Sequence, residues 1–288
     1  MVNTRLSIAV PASLVSDVPH LRDKTLKIGL IGRAAAIFGV DQIIVYKDDS
    51  SRKWNDEISL ISIILSYMET PQYLRKPLFG LRPELRYVGV LPPLRTPHHP
   101  LGSKVKDLVR GEFREGVVMT HTRMGNMVDI GVEDLALVRG KKTPIGTRLT
   151  VKIKHISRKH LEAEVADGGQ IKAYWGYRVT RSDDQLLGEF LETHHFDLIV
   201  ATSRRGASYV NVNEALRDKW MVAEKKLLVF GAPSKGLYEL LEHEGRKLEN
   251  MTDFVVNFAP CQTVETIRTE EAVLLTLGII NILNATIY

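Results

Sequence analysis

Apolar residues along this chain fall into two kinds of pattern. Leu6 to Val10 and Gln42-Ile-Ile-Val-Tyr46 are short, largely unbroken apolar runs, the signature of strands buried on both faces. Between and after them the apolar residues recur at helical spacing. Leu26, Leu30, Ile31, Ala34, Ala35 and Phe38 do so within His20 to Phe38, and a second set does so within Asn55 to Met68. Both stretches read as helices, the first stopped by Gly39 and the second by Pro71. Strand, helix, strand and helix in close succession predict a parallel sheet covered on both faces.

The texture changes where Pro92, Pro93, Pro97 and Pro100 crowd together, so a boundary is expected there. Gly116-Val-Val-Met, Gly125 to Gly131, Arg148 to Lys154 and Leu161 to Val165 are short alternating segments separated by glycine, proline and Asp-Gly turns. Such a series predicts a small antiparallel β-barrel. After Asp183 the α/β texture returns, with a helix over Gln185 to Thr193, strands at Asp197 to Ala201 and Lys226 to Phe230, and a closing helix over Glu270 to Leu283. The expectation is one discontinuous α/β domain, residues 1–95 and 182–288, interrupted by an OB-like barrel over 101–181.

Composition removes several classes. A single cysteine, Cys261, allows no disulfide framework and no thiolate zinc site. The pairs His98-His99 and His194-His195 lack further ligands, so no metal is expected. The longest apolar run, Ala272 to Leu283, is shorter than the roughly 20 residues of a membrane span. The N-terminal apolar stretch is broken by Pro11 too soon for a signal peptide. A soluble, cytoplasmic protein is therefore expected.

The formal net charge of +5 suits either a polyanionic partner or simple solubility. Its distribution is more telling: residues 101–181 hold sixteen Lys and Arg against nine Asp and Glu, leaving the remainder slightly acidic. Lys141, Lys142, Lys152, Lys154, Arg158 and Lys159 lie there, as does Arg139, with Tyr174, Trp175 and Tyr177 near its end. Cations on phosphates and rings on bases are how a barrel holds an oligonucleotide, here expected to be RNA. The alternative is a solvated basic face with aromatics that serve packing.

Two glycine-bearing stretches fail as nucleotide motifs. Gly231-Ala-Pro-Ser-Lys-Gly236 lacks P-loop spacing, and Gly29-Leu-Ile-Gly32 lies inside a helix, which excludes a kinase or dehydrogenase reading. Three segments together match something else: Ile31-Gly-Arg33-Ala-Ala-Ala-Ile-Phe-Gly39, Leu228-Val-Phe-Gly-Ala-Pro-Ser-Lys-Gly-Leu-Tyr-Glu239, and Asn257 through Ile267-Arg268-Thr269-Glu270-Glu-Ala272. They resemble the three motifs of the SPOUT (alpha/beta-knot) RNA methyltransferases. Glu69-Thr-Pro-Gln-Tyr-Leu-Arg-Lys-Pro77 and Thr96-Pro-His-His99 resemble a subfamily shared by archaeal proteins and a eukaryotic SPOUT-domain protein, which carries a barrel insert.

The resemblance implies S-adenosylmethionine as methyl donor, a trefoil knot, a homodimer and a ribosomal RNA substrate, with ring nitrogen 3 of a large-subunit uridine as the target. It implies donor contacts at Phe230, Gly231, Ala232, Gly236, Phe258, Pro260, Gln262, Thr266, Ile267 and Thr269, and catalytic roles for Arg33, Arg268 and Glu265. Two positions depart from the common SPOUT pattern: the second motif here reads Gly231-Ala-Pro-Ser-Lys-Gly236, and Cys261 precedes Gln262.

Each assignment has a physical rationale. Glycines at 231 and 236 let backbone approach an adenine edge. Arg33 and Arg268 remain charged at any working pH and stabilise negative charge on an attacked base. The alternative for Arg33 is a surface cation near a helix end. Glu265 and Glu270 are suited to orienting the arginines, although Glu270 also fits a first helical turn. Arg204 and Arg205, expected among the RNA contacts, follow a strand end, where ligands of α/β sheets sit, or else form an exposed loop. Tyr73, Arg75 and Lys76 suit substrate contact or a packed loop. Pyrimidine C5 methylation needs a cysteine nucleophile, and Cys261 lies in the donor loop, so that chemistry is disfavoured. A non-catalytic RNA-binding or ribosome-assembly factor, and a protein-interaction scaffold, are the competing functions.

Overall fold

The structure, a computed structural model, describes residues 4–50, 53–157 and 160–285. It divides into two compact units. The first comprises Met1–Ser66, Arg86–Pro92 and Tyr177–Tyr288; the second comprises Tyr67–Leu85 and Pro93–Gly176.

In the first unit β1 (Arg5–Pro11) leads through a 3-10 turn to α1 (Leu21–Ile37), β2 (Gln42–Lys47) and α2 (Asn55–Glu69), which runs on into the second unit. After the barrel come β8 (Arg178–Leu186), α4 (Leu187–Thr193), β9 (Leu198–Ser208), α5 (Tyr209–Val222), β10 (Lys225–Val229), α6 (Leu237–His243), α7 (Leu248–Met251), β11 (Phe254–Asn257) and α8 (Thr269–Ala285). Six strands form one sheet in the order β11-β9-β10-β1-β2-β8, and every pair is parallel. The central strands β1, β2 and β10 are the continuous apolar runs, wholly buried from Ile8 to Val10, from Ile43 to Tyr46 and from Leu227 to Val229. Edge strand β8 is polar and half-exposed, which is why its sequence resembles a loop.

His20 caps α1 by accepting the Arg22 N–H at 3.2 Å. Gly29 has a packing role: a Cβ there would overlap the terminal methyl of Leu91, which lies against the helix at this glycine.

The second unit contains α3 (Gln72–Phe79) and β3 (Phe113–His121), β4 (Gly125–Asp129), β5 (Ala136–Arg139), β6 (Arg148–Ile156) and β7 (Leu161–Val165). The five strands close a barrel in the order β3-β4-β5-β7-β6. One expectation is corrected here: β5 and β7 pair parallel, and only the other four junctions are antiparallel. Val118, Val128, Ile130, Val138, Val151 and Ile153 fill the interior.

The segments around Glu69 and His98 belong to one buried polar network in this unit. Arg148 donates to both oxygens of Glu69, at 2.6 and 2.9 Å, and to Glu115 at 2.5 Å. His98 Nε2 lies 2.9 Å from the Glu69 carbonyl and 3.1 Å from its carboxylate, and His99 Nε2 lies 2.6 Å from the same carbonyl. Trp175 donates its indole N–H to Glu115 at 2.6 Å, and Tyr73 donates its hydroxyl to the Glu115 carbonyl at 2.8 Å. Burial drives Glu69 upward, but the His98 and Arg148 hydrogen bonds and the Arg148 charge outweigh it and hold its carboxyl below the ordinary value. Burial, with smaller contributions from the His98 and Arg75 charges, pushes His99 down to about 4, despite its bond to Glu69.

Candidate functional site

A cleft in the first unit lies outside the carboxyl ends of β10, β9 and β11, where parallel α/β sheets place their ligands. It measures about 440 Å³. Three chain segments wall it. β9 extends past its buried half as Thr202, Ser203, Arg204 and Arg205; the Phe230–Leu237 loop joins β10 to α6; and the chain from Val256 runs through Thr269 into α8. The β9 extension corrects the sequence reading: Ser203 to Gly206 are inside the strand, not after its end. β11 pairs along this extension across a register shift at Val255/Val256, and a Cβ on Gly206 would meet the Val255 carbonyl at 2.6 Å.

Hydrogen bonds fix the loops. The Thr269 hydroxyl donates to the Gly231 carbonyl at 3.1 Å, and the Ala232 N–H closes a turn on the Lys235 carbonyl at 3.0 Å. Gln262 donates to the carbonyls of Val264 and Glu265 at 2.9 and 3.2 Å. Arg204 reaches the Glu265 carbonyl at 2.8 Å and so ties β9 to the loop before α8. That helix starts with a capping bond from the Arg268 N–H to the Glu271 carboxylate at 2.9 Å. Phe230 and Leu237 give buried apolar walls, and Phe258 stacks on Tyr209 with centroids 5.5 Å apart. A Cβ on Gly231 would lie 3.3 Å from the Leu237 nitrogen, whereas one on Gly236 would meet nothing within 4 Å. Glycine at 231 thus accommodates a close backbone approach.

Cations and acids share the rim. Lys235 pairs with Asp49 at 3.2 Å, Arg205 lies 4.5 Å over the Tyr238 ring, and Glu239 and Glu265 also line the cleft. Asp48, beside Asp49, accepts the Ser13 N–H at 3.0 Å; burial drives its carboxyl up to about 6, and the Ser13 bonds oppose that rise.

The structure gathers most of the expected donor contacts here: Phe230, Gly231, Ala232, Gly236, Phe258, Gln262, Thr266, Ile267 and Thr269 line the cleft, as does Glu265. Pro260 is exposed and outside the lining. Arg33 and Arg268 do not line it either; Arg33 is half-exposed on α1 and Arg268 is exposed. Glu270 is buried and faces Lys27 at 3.5 Å, which in turn is bound by Asp17 at 2.7 Å, so it anchors α8 to α1 rather than orienting an arginine. Arg204 and Arg205, expected as RNA contacts, line the cleft itself. Thr202 and Thr276 were not legible as site residues, because neither belongs to a glycine-rich or helix-start signal, while Lys235 lies within the Gly231 to Gly236 motif without having been assigned a role of its own.

On the barrel, Lys141, Lys142 and Lys154 are exposed and Lys152 is half-exposed, 5.5 Å over the Phe113 ring. Lys154 pairs with Glu164 at 3.1 Å, and Arg139 with Glu162 at 2.7 Å; Lys141, Lys142 and Lys152 form no ion pair among the described residues. Arg158 and Lys159 lie outside the described residues. Tyr177 is buried with its hydroxyl on the Leu65 carbonyl, and Trp175 is committed to Glu115, so these rings serve packing rather than base stacking. Tyr73 and Arg75 likewise make internal bonds. Among the described residues there is no cluster able to hold a metal ion, and no helix is long and apolar enough to cross a membrane.

A parallel α/β sheet with a glycine-walled cleft at its carboxyl ends, in one chain with a basic five-stranded barrel, defines an α/β enzyme equipped for a small ligand and a polyanion. The chain belongs to an RNA methyltransferase family: the model described as "Putative RNA methyltransferase" matches residues 5–280. It is an enzyme that methylates RNA. It is 32% identical over 292 residues to an uncharacterized protein of Halobacterium salinarum, covering 94% of this chain and 97% of that one. It is 30% identical over 302 residues to the human 28S rRNA (uridine-N(3))-methyltransferase, covering 95% of this chain and 77% of the human one. The Drosophila melanogaster protein of the same name is 32% identical over 306 residues, covering 95% and 61%.

Proposed function

We propose that the chain transfers a methyl group from S-adenosylmethionine to ring nitrogen 3 of a uridine in large-subunit ribosomal RNA, on a SPOUT-type knotted domain with an OB-like RNA-binding barrel. The observation that carries the reading is the cleft, where residues from the second and third motif segments converge on one glycine-walled space. The printed names of the human and fly relatives support the target atom, and the closed five-stranded order of the barrel supports the OB-like assignment.

The cleft residues fit the donor. Gly231 and Gly236 admit close backbone approach, Phe230 and Leu237 exclude water, and Thr269 holds the Gly231 carbonyl out of the way of a ligand. The bound donor supplies its methyl group on a sulfonium, which needs alignment with the acceptor more than activation. The acceptor ring nitrogen must lose its proton, and a guanidinium beside the base lowers that cost.

Arg33 would supply that charge from a second copy. It shares one face of α1 with exposed Leu26, Leu30 and Ile37, and α8, packed on α1, exposes Leu274, Leu275 and Ile282. Leu275 belongs both to this apolar face and to the cleft lining. A second copy seated on the face would therefore lie beside the cleft, with its own Arg33 in the middle of the isologous contact. The deciding experiment is calorimetry with S-adenosylmethionine, combined with nucleoside mass spectrometry of ribosomal RNA from cells carrying Arg33→Ala. Donor binding that survives while 3-methyluridine disappears supports the reading. A chain that takes up no donor at high micromolar concentration, or RNA whose methylation is unchanged in Arg33→Ala cells, overturns it.

A further inference from the structure

Three side chains hold the loop that leaves β10. Thr269 and Asp49 act on Gly231 and Lys235 as described, and the third, Tyr46 of β2, donates its hydroxyl to the Phe230 carbonyl at 2.7 Å. Tyr46 and Phe230 are both fully buried and lie 184 residues apart in the chain.

The register of the sheet explains why a side chain is needed. β10 and β1 pair in parallel through Ala9 and Val229, and the Phe230 N–H continues the ladder by donating to the Ala9 carbonyl at 3.0 Å. In a parallel ladder, a residue that donates to residue 9 accepts from the N–H of residue 11. Residue 11 is Pro11, which has no N–H. The Phe230 carbonyl is thus left without its ladder donor at the last position before Gly231, inside the core. Pro11 pairs directly opposite Tyr46 in the neighbouring ladder, and the Tyr46 hydroxyl fills the gap. Burial pushes the phenol well above its ordinary pKa, so it remains a proton donor.

We propose that Tyr46 is a positioning residue for the methyl-donor loop, its hydroxyl standing in for the backbone donor that Pro11 removes and fixing the direction in which Gly231 to Gly236 leave the sheet. The assignment rests on the reading of the cleft as the donor site. Tyr46 touches neither donor nor acceptor, so its effect falls on donor affinity and not on the methyl-transfer step.

The test is donor affinity by calorimetry and kcat at saturating donor for wild type, Tyr46→Phe, and Tyr46→Phe combined with Pro11→Ala. Phenylalanine keeps the ring and strands a buried carbonyl, which is expected to weaken S-adenosylmethionine binding about 5- to 10-fold with kcat within about twofold of wild type. Pro11 has φ −74° and ψ 151°, which alanine adopts without strain, so the double variant restores a ladder N–H and is expected to recover most of the lost affinity. That rescue is what a purely structural loss of packing cannot give. Equal donor affinity in wild type and Tyr46→Phe, or a weakened Tyr46→Phe that Pro11→Ala fails to rescue, overturns the assignment. If Tyr46→Phe alone does not fold, the double variant must still fold and bind. Wild type that binds no donor instead overturns the underlying reading of the cleft, a separate outcome.

Discussion

Arg148→Met is the sharpest perturbation of the barrel unit. Arg148 bridges Glu69 and Glu115, whose side chains are 10% and 4% exposed. Removing it strands two buried carboxylates, and loss of one partner of a buried pair typically costs about 3–5 kcal/mol. The lower end applies here. Glu115 keeps the Trp175 N–H and the Thr150 hydroxyl, and Glu69 keeps His98 at 3.1 Å. A loss of about 3 kcal/mol corresponds to a fall of roughly 12–24 °C in melting temperature for a unit of this size. Chemical denaturation of the full chain measures it, with Glu69→Gln/Arg148→Met expected to regain part of the stability. A single-variant loss under 1 kcal/mol would refute the network as the brace of this unit. So would a loss confined to RNA affinity, which would make Glu69 to Pro77 a substrate contact after all.

Lys141→Ala/Lys142→Ala should leave donor binding intact while reducing the slope of log affinity for single-stranded RNA against log salt by about 0.7 per cation lost; an unchanged slope moves the RNA contact elsewhere. Asp48 has a folded pKa of about 6 against an ordinary 3.8, so the stability tied to its proton is present in full below about pH 4 and is lost as pH rises through 6. Asp48→Asn should consequently be more stable than wild type at pH 8 by up to about 3 kcal/mol, at 1.36 kcal/mol per pKa unit. That advantage should vanish near pH 4 in urea titrations, and a constant offset across the range would contradict the burial account.

Legibility followed how locally each feature is encoded. β1, β2 and β10 could be read because strands buried on both faces must be apolar throughout, and α1, α2 and α8 because their periodicity is long. β8 escaped notice as a polar edge strand, and so did the outer half of β9, where Arg204 and Arg205 interrupt the apolar run. α5 buries only Leu216 and Trp220 and carries little pattern. α3 was hidden by Pro71 at its cap and Pro77 within it. At the site, the glycine loop and the Thr269 helix start are local signals. Tyr46 became visible only once the β1–β10 and β1–β2 registers placed it beside Pro11.

The same distinction applies to charge. By the structural boundaries the barrel unit holds eighteen Lys and Arg against eleven Asp and Glu, an excess of +7, while the remainder is −2. A count treats these cations alike, but the fold does not. Arg148 and Arg114 are spent internally on Glu69, Glu115 and Glu112. Arg139 and Lys154 sit in exposed pairs with Glu162 and Glu164, which are weak enough for a phosphate to displace. Lys141, Lys142 and Lys152 have no acidic partner among the described residues, and neither do the exposed Lys104, Lys106, Arg110, Arg123 and Lys172. Phosphate binding should therefore draw on these unpaired cations, with Arg139 and Lys154 engaging at the cost of their present partners, so the number of counterions released on RNA binding should fall short of the number of basic residues in the barrel.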